Sequence, residues 1–538
     1  MTDNNLEWEV LQEPLIIEEI TLNKWIPKNS ISIVVNRTDS YQIRAVLTAI
    51  EENGPLAGRD TECYKRFYKT SPGSRIEPFN LKGKDQYGSN VELKNCYITH
   101  IGSRGRNSSE RLVTLNIIVY EIKIEKNSDY EASRLLEWYI NGPNNGVLFP
   151  RETLRLQENG SDKAARKRVT VDISLDKAIE LSIQNIESSE MDREFALVTF
   201  DTIKFIVARV LNGFGPDWSK NICIEYRKDF GPIPDSQKRE AISEIVSFVL
   251  GTQLLNVGFT EYDHEWQPLT FFAKPSWGVG YSRSVCEDIT LSPFDLGIII
   301  NEGKIEELLC DLVPKYLSLR DKMRLKEALW KYWISRDMPL GTNLPALSSA
   351  LEIIKEEWFK SEKSKSKALW IPNEEFEDLI EESLNIAEEK LDKYIENKNK
   401  SLDPEKRHSL KAQEMGELKK QVLNKIRYSN QMSLTKRYAA FFEEIGLEIG
   451  SIEDKAIASR HSMAHSDKMN AEESEKMEKC TRAYQTLFHR VFLKVLGYEG
   501  RHIDRSVIGF PEKNINLPLG KINKLNVESL ALISKKKP

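Results

Sequence analysis

The sequence is poor in the residues that mark disulfide-rich and zinc-binding proteins. It contains only six cysteines and seven histidines in 538 residues. The cysteines are scattered, without a CxxC pair, which argues against a disulfide framework or a zinc knuckle and indicates free thiols in a reducing compartment. We therefore expect a cytoplasmic protein that contains no metal site.

Long apolar runs are also missing. The best candidate, residues 195–211, is interrupted by Asp201, Lys204 and Arg209, and none approaches the ~18 apolar residues that a membrane-spanning helix needs. The first residues lack the basic start and apolar core of a secretory signal. The sequence predicts no contact with a membrane.

The composition shows no surplus of positive charge. The net charge is −5, whereas proteins that bind nucleic acids without sequence preference carry a basic surplus. Contacts with RNA must therefore come from local clusters. No GxxxxGK[ST] loop and no GxSxG elbow occurs, so ATP hydrolysis and serine hydrolysis are unsupported and no cofactor is predicted.

The period of the apolar residues changes along the chain and predicts an α+β protein. Strand-like alternation marks residues 31–35, 91–98, 112–124 and 169–173. A helix at 235–250, with Asp235 as N-cap and Gly251 beyond its end, lies among further strands at 221–226 and 271–273. We predict a β-rich domain at 1–175, a mixed part at 176–300, an all-α helical bundle at 301–510 and a tail at 511–538.

Three apolar stripes with helical spacing support the bundle. They comprise Leu347, Leu351, Ile354 and Trp358; Leu434, Tyr438, Phe441, Phe442 and Ile445; and Tyr484, Leu487, Phe488, Val491, Phe492 and Val495. The third stripe is a candidate dimer face, although burial inside its own bundle explains it equally well. The charged stretch 374–400 is expected at the periphery.

The principal motif lies between the second and third stripes. Arg460, His461 and His465 fall in a run with the composition of a helix that is expected to begin at Ser451, with Asp454 completing a capping pattern. On a helix the two histidines share a face, and Arg460 lies about 100° from His461. A guanidinium can hold two phosphate oxygens, and imidazole can transfer a proton near neutral pH. The trio suits metal-independent cleavage of RNA.

Residues 460–465, Arg-His-Ser-Met-Ala-His, resemble the R-polar-x3-H signature of the HEPN superfamily of ribonucleases and nucleotide-binding proteins. The closing helix that ends at Gly497-Tyr498 and the strand-rich start are similar to HEPN proteins of the ApeA type, which act in anti-phage abortive infection. The resemblance implies a toxin-like endoribonuclease with Arg460, His461 and His465 as catalytic residues and products that end in 2′,3′-cyclic phosphate. It also implies a homodimer or higher homo-oligomer through the HEPN domain, and an N-terminal sensor that responds to a phage-derived trigger. The substrate is RNA, with tRNA as one candidate.

Other interpretations of the motif remain open. The arginine and histidines can simply satisfy carbonyls at a helix end. His461 and His465 can form half of a zinc site, yet a HExxH motif needs Glu where Ser462 stands. The HEPN-like bundle can also bind RNA or a nucleotide without cleaving it.

Two basic clusters are candidates for contacts with RNA phosphates. One is a loop after His100 that carries Arg104 and Arg106; the other carries Lys363, Lys365 and Lys367. Solvated loops are the simpler interpretation of both clusters.

Overall fold

The computed structural model describes residues 11–52 (without 12, 22–25 and 39–40), 78–143 (without 106–109 and 129), 195–209, 221–296 (without 265–266 and 277–290), 304–400 (without 362–363, 365–366 and 368), 411–462 and 471–520. The chain divides into two compact units, residues 1–317 and 318–538. The first is rich in β-strands and the second is helical, which confirms the predicted α+β class.

The first unit contains a single antiparallel sheet of thirteen strands in the described ranges. The strands are β1 (Leu15–Ile20), β2 (Ser30–Arg37), β3 (Ile43–Glu52), β4 (Phe79–Asp85), β5 (Asn90–Gly105), β6 (Glu110–Val119), β7 (Glu121–Glu125), β8 (Arg134–Ile140), β9 (Phe195–Phe200), β10 (Ile203–Arg209), β11 (Ile222–Arg227), β12 (Leu255–Tyr262) and β13 (Pro268–Ala273). The predicted run 112–124 is thus two strands, separated at Tyr120, and the predicted strand 169–173 lies outside the described residues.

The first six strands pair in a closed ring, because β4 bonds to both β1 and β5 in the order β4-β1-β2-β3-β6-β5. Alternate side chains fill the core, as in β6, where Val113, Leu115, Ile117 and Val119 are buried. A period of two is what a strand with one buried face requires.

Strand β5 joins this ring to the remaining strands. Its first residues also pair with β7, from which the sheet continues as β13-β12-β8-β11-β10-β9. All residues of β8 and β11 are buried. Because β8 precedes position 175 and its partners β11 and β12 follow position 176, one sheet runs across the predicted boundary.

Helix α1 (Ser236–Leu250) begins and ends as predicted. The Asp235 side chain accepts a hydrogen bond from the backbone N–H of Lys238 over 2.8 Å, which satisfies one of the free donors of the first turn. Gly251 ends the helix with φ = 73°, in the left-handed region that favours glycine.

The second unit is built mainly from helices. The helices that follow α1 are α2 (Lys304–Leu319), which lies almost wholly in the first unit, α3 (Leu325–Asp337), α4 (Asn343–Phe359), α5 (Asn373–Lys400), α6 (Lys411–Arg427), α7 (Leu434–Glu444), α8 (Ser451–Ser462) and α9 (Ala471–Val495). Within the described ranges, no helix is both long and apolar enough to cross a bilayer.

The apolar stripe of α9 is buried inside its own unit. Tyr484, Leu487, Phe488, Val491 and Phe492 are fully buried within the single chain. The interpretation of this stripe as a dimer face is therefore wrong, because the side chains already fill the core between α9 and its neighbours. Helix α5, by contrast, leaves most of its described side chains exposed, as expected for a peripheral helix.

The chain after residue 510 continues the fold. Strands β14 (Arg501–Ile503) and β15 (Glu512–Asn514) form an antiparallel hairpin, and Ile515 and Leu519 are buried beyond it. Residues 511–520, assigned to the tail by their lack of periodicity, are thus part of the second unit.

Candidate active site on the motif helix

Helix α8 carries the first part of the motif in its last turn. The backbone is helical from Ser451 to Ser462, which confirms a helix at Arg460 and His461. The side chains of these two residues, and the whole of His465, lie outside the described part of the chain. The convergence of the three side chains on one ligand, and the zinc alternative, therefore stay predictions.

A buried arginine holds the beginning of α8. Arg490, from α9, donates from Nη1 to Glu453 Oε1 over 2.5 Å, and both side chains are fully buried. Its Nε donates to the carbonyl of Ile515 at 3.0 Å and its Nη2 to that of Glu448 at 2.8 Å. One guanidinium thus connects α9 with α8, with the loop before α8 and with the segment after β15.

Glu453 is the matching acceptor. Besides the guanidinium, its Oε1 accepts from the backbone N–H of Leu519 at 2.7 Å, and its Oε2 accepts from that of Gly450 at 3.1 Å. Each carboxylate oxygen therefore has a donor, which a buried charge requires. The Glu453–Arg490 pair fixes α8 at a point about 10 Å along the axis from position 460, at 1.5 Å per residue.

Electrostatics explain why the pair must stay intact. Burial lowers the pKa of Arg490, and the neighbouring Glu453 carboxylate offsets only part of this shift. The guanidinium still stays protonated, as in proteins generally. Removing either partner would leave an uncompensated buried charge, at a cost of about 3–5 kcal/mol.

Helix α8 begins at Ser451, as predicted, but its capping acid differs from the predicted one. Asp454 is exposed, and it is Glu453 whose Oε2 accepts from the backbone N–H of Gly450. Two further contacts place the helix: Ala456 is buried, and Ile452 lies against Gly520.

The basic clusters have different surroundings from those expected of phosphate ligands. Lys367 forms an ion pair with Glu444 at 2.5 Å, and Trp358 Nε1 donates to the same carboxylate at 2.6 Å. Burial opposes ionisation of Glu444, but these hydrogen bonds outweigh it and lower its pKa. Lys363 and Lys365 lie outside the described residues. Among the three lysines, the described one is thus already engaged by an acid.

Arg104 lies in a strand, contrary to the predicted loop. Strand β5 extends to Gly105, and Arg104 pairs with Leu112 of β6 with its side chain exposed. Gly and Arg interrupt the apolar alternation here, yet the backbone ladder continues through Ser103, Arg104 and Gly105. Arg106 lies outside the described residues.

A buried histidine on α9 lies outside every motif that the sequence indicated. His489, on α9, is buried with its Nε2 2.7 Å from Tyr332 Oη. Burial, with Arg505, His502 and Arg336 nearby, holds the pKa of His489 well below its usual range. It is therefore neutral at pH 7 and out of reach of a substrate, so its contribution is structural. Tyr332 lies 157 positions before His489, so the sequence around this histidine could not predict the contact.

Part of the helical unit matches a known protein family. Residues 345–501 match the family model described as Apea-like HEPN. The match runs from α4 through α9 and includes the 460–465 motif, which supports the resemblance and, in general terms, a nuclease-like role in defence. No curated protein and no solved structure matches the chain.

Proposed function

We propose, from the premise that residues 345–501 form an Apea-like HEPN region, that this protein is a metal-independent endoribonuclease of anti-phage defence. The observation that carries the proposal is the position of the motif: it lies within the matched region, and its first residues, Arg460 and His461, belong to α8, a helix whose start is fixed by Glu453 and Arg490.

RNA supplies its own nucleophile. The 2′-oxygen attacks the adjacent phosphorus while the bond to the 5′-oxygen breaks, so the products end in a 2′,3′-cyclic phosphate and a 5′-hydroxyl. His465 takes the proton from the 2′-hydroxyl or gives one to the leaving oxygen, and His461 orients the phosphate or acts as the second proton carrier. Arg460 holds the phosphate oxygens as charge builds up in the transition state.

One motif offers few groups for a reaction that uses an acid and a base together. A second copy of the chain supplies the missing groups if two motif helices meet in one cleft, as the resemblance implies. A two-fold axis places the same residues on both sides of such a cleft. The α9 stripe is buried, so the interface must use another face of the unit.

Anchoring of α8 supports this assignment physically. A catalytic group must be held close to its productive geometry, and a helix fixed by a fully hydrogen-bonded ion pair holds its last turn better than a loop would. Glu453 and Arg490 are positioning residues in this scheme.

The test compares purified wild type with Arg460→Ala and His465→Ala on total RNA in the presence of EDTA. We expect both variants to lose cleavage while the thermal midpoint stays unchanged, and the wild-type products to carry 2′,3′-cyclic phosphate. Lys455→Ala, an exposed residue of the same helix, is the matched control. Retained cleavage by both motif variants would contradict the proposal.

A second candidate function is binding of RNA or a nucleotide without cleavage, with Arg460 as an anion clamp. The same assay separates the two, since RNA that is bound and recovered intact by wild type favours the second.

The role of the β-rich unit as a sensor is tested separately. If it restrains the nuclease until a phage-derived trigger arrives, a chain that begins at residue 318 will be more toxic and cut more RNA than the full chain. Cleavage and toxicity no higher than those of the full chain would exclude restraint by residues 1–317.

A further inference from the structure

The loop of the β14–β15 hairpin presents apolar side chains to solvent. It follows directly after the matched region, at residues 504–511. Ile508 is 97% exposed and Phe510 is 40% exposed. Phe510 has φ = 45°, and Gly509 before it has φ = 85°. A bulky residue in the left-handed region is a conformational outlier.

Folding alone does not explain this phenylalanine. Glycine or asparagine would adopt the same backbone with less strain, and the ring of Phe510 leaves 40% of its surface in solvent. Strain at an exposed aromatic residue is a reason to look for a ligand.

Two guanidinium groups lie beside the ring of Phe510. The Cζ of Arg505, from the same loop, is 5.5 Å from the ring centroid, and the Cζ of Arg482, from α9, is 5.8 Å away. Both distances fall within the range of cation–π contacts. The loop and the helix thus place an aromatic face and two cations together.

The two guanidiniums also act on each other. Burial lowers the pKa of Arg505, and the positive charge of Arg482 contributes to the same shift. Glu478 pairs with Arg482 at 2.5 Å. A phosphate that lies between the two guanidiniums can accept hydrogen bonds from both.

Hydrogen bonds to Asp504 fix the 504–511 loop in the absence of a ligand. Asp504, fully buried, accepts from Lys513 Nζ at 2.8 Å, from the backbone N–H of Ser506 at 3.0 Å and from that of Gly520 at 3.0 Å. Burial opposes ionisation of this carboxyl, yet the hydrogen bonds lower its pKa. Preorganisation of this kind reduces the entropy lost on binding.

We propose that Phe510, Arg505 and Arg482 form a binding site for single-stranded RNA, with a base stacked on the Phe510 ring and a phosphate held by the two arginines. Stacking on an aromatic ring beside guanidiniums is how proteins hold unpaired nucleotides. The inference rests on the proposed function, since it places part of the RNA substrate outside the cleavage motif.

The test uses the full chain and a fluorescent oligouridylate of about ten nucleotides, within the range of known single-strand site sizes. The probe is 2′-O-methylated, so it cannot be cut. We expect Phe510→Gly to weaken binding roughly tenfold, the order of one lost base stack, with an unchanged or higher thermal midpoint, because glycine accepts φ = 45°. Arg505→Gln should lower the slope of log affinity against log salt by about 0.7, one phosphate contact. Tyr428→Ala, which removes an exposed aromatic elsewhere in the unit, should bind as wild type does.

The possible outcomes separate this site from the nuclease. If wild type and Phe510→Gly bind the probe equally, the site is wrong even if RNA is cut. If wild type binds the probe and Phe510→Gly does not, while neither cuts RNA, the site stands and the nuclease proposal fails. If wild type does not bind the probe, the proposed RNA-binding site is wrong.

Discussion

The two units use buried charge in different ways. In the β-rich unit, Arg239 Nε of α1 donates to Glu137 Oε1 of β8 at 2.9 Å, and Tyr139 donates to the same carboxylate at 2.7 Å. In the helical unit, Arg490 and Glu453 join two helices and the segment after β15.

The difference follows from how each kind of element satisfies its backbone. Strands bond to their neighbours, so the ladder itself fixes their register, and the Glu137–Arg239 pair only attaches a covering helix. A helix makes its backbone hydrogen bonds within itself. These bonds do not attach it to neighbouring elements, so its position depends on contacts of its side chains. The buried pair of the helical unit therefore decides where the motif helix lies.

The largest effect is expected at Glu453. Glu453→Ala should lower the free energy of unfolding by about 3–5 kcal/mol, because Arg490 would stay buried without its partner. Glu137→Ala should cost less, because the Arg239 side chain is 10% exposed and water can reach the unpaired guanidinium, whereas Arg490 is fully buried. Urea unfolding followed by circular dichroism measures both. An equal loss for the two variants would contradict the distinction between the units.

Two glycines that end helices give a matched pair across the units. A Cβ on Gly251 would lie 1.9 Å from the backbone N of Ser292, whereas the nearest atom to one on Gly446 would be Lys494 Nζ at 3.6 Å. Gly446→Ala should cost about 1–2 kcal/mol, the left-handed penalty alone. Gly251→Ala should cost about 1–3 kcal/mol more, the penalty of overpacking. The difference between the two unfolding free energies checks this, and similar losses would show that the Ser292 segment moves aside.

Acid should destabilise the helical unit through its buried histidines. Burial keeps the pKa of His489 well below its usual value, and burial with nearby Arg490 lowers that of His502 to about 4. The unfolded chain therefore binds more protons once the pH falls below about 6.5, so stability is full above that pH and decreases below it. Each histidine contributes a slope of at most about 1.4 kcal/mol per pH unit.

The measurement is the free energy of unfolding between pH 7.5 and 5. His489→Gln should flatten the slope by about one proton. An unchanged slope in this variant would mean that His489 is protonated in the folded unit.

The smallest effect is expected at Lys367. Because its Nζ is paired with Glu444 near the surface, Lys367→Ala should change stability by at most about 1 kcal/mol and leave the affinity for RNA nearly unchanged. Fluorescence anisotropy with labelled RNA measures the affinity. A several-fold loss would restore Lys367 as a phosphate ligand.

Local patterns in the sequence predicted much of the architecture. The change from period two to period 3.6, the Asp235 cap and the stripes of α4, α7 and α9 depend on neighbours along the chain, and the structure confirms them. The six-residue motif located the candidate site for the same reason.

Features that depend on distant residues could not be predicted. Glu453 is 37 positions from Arg490 and 66 positions from Leu519 in the sequence. The sequence around Glu453 is that of a solvent-exposed helix, so it does not indicate which residue pairs with this carboxylate. The pairing of β8 with β11 and β12, and the grouping of Arg482 and Arg505 around Phe510, likewise arise only in three dimensions.

The bond from Leu519 to Glu453 also sets an order of events at the ribosome. Translation must proceed 66 residues past Glu453 before this donor exists, and Arg490 must emerge first. Helix α8 is thus synthesised well before Glu453 has all its donors, so a nascent chain would hold this helix in place only after the hairpin that follows α9 has been synthesised and folded.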